Sequence, residues 1–399
     1  MLDMNDLSMI SVMLVIPAFG VGGTEKQVLL LARGLSQSRR FRPIVCSLNG
    51  DGPLGEKLRE AGVATEIIKK RRRIDPMLVW DVFGVVRRQR ASVVHTFLPE
   101  ANTWARAAGL LAEAPVVIAS ERSTDYYKTT ILKAIDNRLA TAGFAVVANS
   151  ELVRQDLISK CGVKGDSVRV VHNGIDPVGY CPADAAGRHK IRADLGLPQA
   201  EVLLGTVSRL NPIKNLTGLI STFNAVFGAK SGVRLVIVGG AQTDTERRYE
   251  NMLFDLVVDL KLTDRVTFVG EQSNVAEYMS ALDIYIQASH VEGFPNSVME
   301  AMATGLPTVA TAAGGTSELV SEGQTGFLVP CGDAQALGAA MLRMVSERNS
   351  WEKMGRAGRD RVANHFSIEA MVRRTEAIYE QGLDDYVHRS GSARFEVVE

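Results

Sequence analysis

Short apolar runs recur along this chain at residues 10–17, 43–47, 64–68, 92–96, 116–120 and 145–149, with helical patterns between most of them. Runs of that length suit strands buried on both faces, and their alternation with helices predicts a doubly wound parallel sheet. A second series opens at residues 202–207 and continues at 235–238, 266–269, 284–286 and 308–310. Between the two lie residues 177–196, rich in Pro, Ala, Gly and charge, which read as a linker and a short helix. A chain of 399 residues is long for one domain, so two Rossmann-like α/β domains are expected, at residues 1–180 and 181–366.

Composition narrows the class. Hydrophobic residues make up 46% and charged ones 23%, enough for substantial cores. Formal net charge is zero, yet residues 1–180 carry 24 Lys and Arg against 18 Asp and Glu, which points to an anionic ligand or surface met mainly by the first half. Cys46, Cys161, Cys181 and Cys331 show neither C-x-x-C spacing nor a histidine cluster, so no zinc site or disulfide framework is expected and a reducing cytoplasm fits. The apolar run 9–19 follows Asp3 and Asp6 rather than a basic segment, and reads as a first strand instead of a signal peptide or membrane span.

Residues 288–311, ASHVEGFPNSVMEAMATGLPTVAT, hold the expected chemistry. A loop with Glu292 and Gly293 enters a helix at Pro295 and leaves it at Gly305. No capping side chain precedes the helix, so the amides of Asn296 and Ser297 invite an anion at its positive end. Ser297, Glu300 and Thr304 share one face by spacing, and Val298, Met299 and Met302 another. Glu292 and Glu300 are placed to bracket a polyhydroxylated ligand. Equally, Glu292 compensates a helix dipole and Glu300 is a solvated surface residue. Earlier, Gly20-Val21-Gly22-Gly23 follows the first strand and feeds a helix from about residue 25 to 35. A dinucleotide fingerprint needs glycine where Glu25 stands, which weakens an NAD reading.

These segments resemble retaining glycosyltransferases of family 4, which have the GT-B fold. The donor-site signature is matched by EGFPNSVMEAMATGLPTVAT with the following GGTSELV and TGFLV, the paired glutamates being the family's E-x7-E motif. GGTE matches its GGxE element, and VRVVHNGID at residues 168–176 its strand closing the first domain. The resemblance implies two Rossmann-like domains facing across a cleft, with a helix at about 367–385 packing back on the first. It implies that Arg209 and Lys214 grip a donor diphosphate and that Glu292 holds sugar hydroxyls, the three forming the catalytic set. Glu300 would hold the ribose, and Gly22, Gly23, Gly270, Gly293, Phe294, Asn296 and Ser297 would line the nucleotide sugar. Residues 268–274 resemble the loop cradling the base.

On the acceptor side stand Glu25, His95 and Glu121, the last two read as ending their strands. Many family members show H-x-H where this chain has His95-Thr96-Phe97, a departure that points to a different acceptor. No metal or cofactor is implied. Asp244-Thr245-Glu246 is not a true D-x-D motif. The donor would be a UDP- or GDP-sugar and the acceptor a lipid-linked or cell-surface polysaccharide intermediate. A sugar-nucleotide epimerase and a non-catalytic sugar-nucleotide or polysaccharide-binding protein are the alternatives. Lys69, Lys70, Arg71, Arg72 and Arg73, with Arg87, Arg88 and Arg90, suggest that the first domain is held against a lipid diphosphate acceptor or an anionic membrane, peripherally at its cytoplasmic face, with a solubilising loop as the bland alternative. Nucleic acid is not an expected partner.

Overall fold

The computed structural model describes residues 9–123, 130–181, 184–194, 196, 199, 201–228 and 232–390. Asp3 and Asp6, parts of the 177–196 linker and the tail beyond residue 390 lie outside them. The chain forms two compact units, Met1–Gly174 with Ile368–Glu399, and Ile175–Ser367.

In the first unit, β1 (Ile10–Ile16), β2 (Phe41–Ser47), β3 (Ala64–Ile67), β4 (Val93–Phe97), β5 (Val116–Glu121), β6 (Ala145–Ala148) and β7 (Val168–Val170) make a parallel sheet in the order β3-β2-β1-β4-β5-β6-β7. All of β4 and β5 is buried, as is β1 after Ile10, because helices cover both faces; hence unbroken apolar runs instead of alternation. The edge strand β3 is short and half-exposed, which blunts it against pairing with other chains. Helix Gly23–Gln37 buries Val28, Leu31, Ala32 and Leu35, one stripe at helical spacing. Its Gln27 clasps Gly174, donating Nε2 to the carbonyl at 2.9 Å and accepting the amide at 2.8 Å.

The C-terminal helix, Ile368–Ser390, runs further than the expected 367–385 span. It belongs to the first unit and buries Met371, Val372, Ile378, Tyr379 and Leu383. With it included, that unit holds 28 Lys and Arg against 24 Asp and Glu, so the helix's own acids trim the positive excess of this unit but do not remove it.

In the second unit, β8 (Val202–Val207), β9 (Val233–Val238), β10 (Val266–Gly270), β11 (Ile284–Gln287), β12 (Thr308–Thr311) and β13 (Gly326–Val329) make a parallel sheet ordered β10-β9-β8-β11-β12-β13. β13 is not among the strands read from the apolar runs: it has four residues, begins at a glycine and lies at the sheet edge beside β12. Leu204, Leu219, Phe223, Ile237, Leu253 and Ile286 fill one face of the sheet. Tyr285, Met299, Met302 and Val362 fill the other. In each sheet the strand order reverses once, beside β1 and β4 and beside β8 and β11, the points at whose carboxyl ends open α/β sheets generally place ligands. Among the described residues no helix is long and apolar enough to cross a membrane.

Candidate functional site

In the second unit the reversal point collects the motif residues. β8 and β11 pair only at Leu204 with Ile284 and Gly205 with Tyr285, so their last residues part and their loops diverge. After β8, Asn211 Oδ1 accepts the Ile213 amide at 3.1 Å and starts a single turn, Pro212–Lys214. Asn215, at φ 52°, ends that turn and begins helix Leu216–Phe227. The turn is tied to the loop after β11 by His290 N–H donating to the Ile213 carbonyl at 2.8 Å. Lys214 is thereby brought to Glu292, Nζ to Oε1 at 2.6 Å, with 19% and 11% of their side chains exposed.

Gln287, which the sequence reading did not single out, holds this carboxylate. Buried at the end of β11, it donates Nε2 to the same Glu292 oxygen at 3.2 Å, and its own Oε1 accepts from Thr316 Oγ1 at 3.4 Å. An amide where a strand buried on both faces would ordinarily end in an apolar residue is the local signal that marks it.

Arg209 is half exposed, with Nη1 3.3 Å from Glu246 Oε1. Glu246 is buried because it closes the capping box of helix Asp244–Asp259 with Thr243. Burial works against its charge, but the Asn211 amide, the Gln242 and Thr243 N–H groups and Arg209 together hold its carboxyl below the ordinary value. The stretch 244–246 is thus a helix start that anchors Arg209. The guanidinium keeps donors open to solvent.

The helix after Glu292 runs Asn296–Ala303 with Pro295 at the N-cap, one residue before its expected place, because Pro295 keeps an extended ψ of 112°. No side chain caps it. Its residues from Val298 to Ala303 are all buried, and Glu300 is 8% exposed, which excludes the reading of Glu300 as a solvated surface residue. Asn296 and Ser297 stay half-buried at the opening. The Phe294 ring is core, packed 5.3 Å from Phe366 between centroids, so only its backbone can serve a ligand. Gly293 accepts from the Gly315 amide at 2.7 Å, which pins the Glu292 loop to the GGTSELV segment. Gly270 ends β10, and its carbonyl accepts from Gly239 at 2.8 Å.

In the first unit Gly22 precedes the first turn of helix Gly23–Gln37, and the Glu25 carboxylate folds back over it: a Cβ on Gly22 would lie 2.4 Å from Glu25 Oε2. Glu121 ends β5, buried, and accepts from Asn102 Nδ2 at 3.1 Å. Arg122 follows it, another residue the sequence reading passed over. It donates to Asn173, and burial lowers its guanidinium to about 10 against the opposing pull of Glu25. A cation so placed between Glu25 and Asn173 is a candidate contact for an anionic group.

His95 is not at a strand end. It is the third residue of β4, 2% exposed, stacked on Phe97, with Nδ1 2.7 Å from Tyr379 Oη and Nε2 2.8 Å from Ser120 Oγ. Both ring nitrogens are spent inside the core, which removes it from the acceptor candidates. Burial, and secondarily Arg122, push its pKa from 6.5 to about 3. An unfolded imidazole protonates near 6.5 and the folded one near 3, so the unfolded chain takes up the extra proton between them. Stability from this group is therefore complete above the upper value and shrinks with acid, by up to about 1.4 kcal/mol per pH unit. His95→Gln is expected to flatten the acid limb of Tm against pH while lowering Tm at neutral pH; an unchanged acid limb would show that other groups control it.

Comparison with known proteins places this geometry. Residues 21–178 match the model of Glycosyltransferase Family 4, and residues 187–361 that of Glycosyl transferases group 1. The chain belongs to the family 4 glycosyltransferases. It is 28% identical over 218 residues to N-acetyl-alpha-D-glucosaminyl L-malate synthase of Bacillus anthracis, covering 55% of each chain. With the lipopolysaccharide core biosynthesis mannosyltransferase LpsB of Rhizobium meliloti it shares 30% over 213 residues, 53% of this chain and 60% of that one. The matched part thus spans little more than half the length of these relatives. Among solved structures, a glycosyltransferase from Rickettsia africae superposes with a TM-score of 0.84 at 22% identity, over 94% of this chain and 99% of that one. HepE of Anabaena in complex with UDP gives 0.83 at 22% identity, over 94% and 100%. Both establish the GT-B fold.

Proposed function

We propose that this chain transfers a sugar from a nucleotide-diphosphate sugar to a hydroxyl of a glycan or lipid-linked acceptor, with retention at the anomeric carbon and without a required metal. The observation that carries the reading is the meeting of Lys214 and Glu292 at the carboxyl ends of β8 and β11, with Arg209 open to solvent beside them. When the bond from the anomeric carbon to the phosphate oxygen breaks, the electron pair stays on the diphosphate. Fixed cations at that point lower the barrier. Lys214, Arg209 and the uncapped start of helix Asn296–Ala303 supply positive charge, while Glu292 is poised to accept hydrogen bonds from the sugar and Glu300 from the ribose. The acceptor falls to the first unit, with Glu25, Glu121 and Arg122 as its polar groups.

Similarity to LpsB and to the capsular polysaccharide biosynthesis glycosyltransferase CapM of Staphylococcus aureus supports a polysaccharide or lipid-linked intermediate as acceptor. Such an acceptor would be met at the cytoplasmic face of a membrane, with the protein attached peripherally.

Thermal shift against UDP, GDP and their sugars tests the donor reading. A ligand at a hundredfold excess over its Kd stabilises the native state by about 2.7 kcal/mol. Glu300→Ala is expected to weaken binding of the bare diphosphate, whereas Glu292→Ala spares it and loses turnover of the intact donor. If neither diphosphate shifts the wild-type melt, the reading fails; if both variants lose diphosphate affinity equally, the two roles are misassigned.

A further inference from the structure

Three large apolar side chains stand in solvent together at one corner of the first unit. Ile74 is 72% exposed, Met77 52% and Trp80 57%. They recur every third residue through the loop after β3 and into helix Leu78–Arg88, so Met77 and Trp80 share a face of its first turn. Single exposed hydrophobes are ordinary; three in succession mark a contact surface.

The loop that presents them is firmly built. Asp75 is buried and accepts the Arg71 amide at 2.9 Å and the Met77 amide at 3.1 Å. Arg71 reaches across to both oxygens of Asp81, at 2.6 and 3.1 Å. Leu78 N–H donates to the Asp75 carbonyl at 3.1 Å, and the Trp80 ring meets the edge of Phe83 at 5.9 Å. The hydrogen bonding fixes a backbone whose apolar side chains point away from the core.

Charge decides the occupant. The basic run 69–73 is not five free cations: Lys70 pairs with Glu100, Arg71 with Asp75 and Asp81, and, further on, Arg88 with Glu66. Arg72 and Arg73 are exposed and have no ion pair among the described residues, and they adjoin Ile74. Unpaired arginines beside an exposed Trp, Ile and Met fit an anionic bilayer interface, where guanidinium groups meet lipid phosphates and a Trp ring sits at headgroup level. We propose that the tip formed by Arg72, Arg73, Ile74, Met77 and Trp80 docks the first unit on an anionic membrane by shallow insertion of its three apolar side chains. The inference rests on the membrane-side placement proposed above and is independent of the donor chemistry.

The two components respond differently to salt, since screening weakens the arginines and leaves apolar insertion intact. The full chain is sedimented with phosphatidylcholine vesicles with and without phosphatidylglycerol, at low and high salt. Wild type is expected to bind the anionic vesicles with a blue shift of tryptophan emission. Trp80→Phe should keep most of the binding and lose the shift. Combined Ile74→Ser, Met77→Ser and Trp80→Ser should lose at least about tenfold in affinity at both salt levels, and Arg72→Ser with Arg73→Ser about tenfold at low salt only. Retained melting shifts with UDP or GDP would show that each variant is folded, and a missing shift in wild type would sink the donor reading alone. The proposal is overturned if the triple variant binds vesicles like wild type. It is equally overturned if wild type ignores vesicles and the triple variant instead converts a dimer to a monomer in size exclusion, which would make the tip a contact between copies.

Discussion

Lys214→Ala is expected to lower turnover by about 10² to 10³, the usual cost of removing one donor from charge that develops in a transition state. Two effects add at this position. The diphosphate loses a cation, and Glu292 loses the ammonium held 2.6 Å from it, while Gln287 still donates to that oxygen. Lys214→Arg keeps the charge but replaces a point ammonium with a planar fork, so partial recovery is expected. Arg209→Ala should also lower turnover, with less effect on the carboxylate, because Arg209 is anchored by Glu246 and not by Glu292. Turnover assays alongside melting curves separate the cases: near-normal rates in both alanine variants would remove Lys214 and Arg209 from the leaving-group role.

The largest structural effect is expected from Gly314→Ala. At φ 54°, a Cβ on Gly314 would stand 1.9 Å from the Glu292 carbonyl oxygen and 3.0 Å from that of Gly293. Both contacts are backbone, so no rotamer change relieves them, and the Glu292 loop must move. Left-handed geometry costs about 1–2 kcal/mol for a residue with a side chain, and overpacking a further 1–3 kcal/mol. A fall in Tm of about 5–10 °C is expected, with loss of turnover because Glu292 is carried away from Lys214. Gly323→Ala is the control, since Gly323 has φ 70° and nothing within 4 Å of its would-be Cβ. Equal effects at the two positions would show that strain alone, and not collision with the Glu292 loop, is being measured.

Much of this fold is legible in the residues because strands buried on both faces must be apolar throughout. β1 and β8 could be read in that way, whereas β13, four residues opening on Gly326, carries too little pattern. The glutamate motif was legible because its members lie within one loop and helix. His95 was not: its place inside β4 depends on pairing with β5, and its second hydrogen bond comes from Tyr379, 284 positions away. The same limit applies to the basic run. Counting Lys and Arg registers charge, but Glu100, Asp81 and Glu66, which pair with Lys70, Arg71 and Arg88, lie on separate elements. Glu246 shows a local signal that was there to be read, since Thr243 three residues before it spells a capping box, while the acidic spacing falls short of a true D-x-D motif.

The return of helix Ile368–Ser390 to the first unit has a consequence for biosynthesis. Residues 175–367 form their unit from continuous chain, so it has every part it needs before helix Ile368–Ser390 is made. The first unit leaves the ribosome earlier but waits for its final piece, with the cover over Phe41, Val116 and His95 still unsynthesised. Domains generally fold as units in the order they emerge. Here the unit begun first is completed only after the second has been made, and its apolar sheet face stays uncovered while residues 175–367 are synthesised.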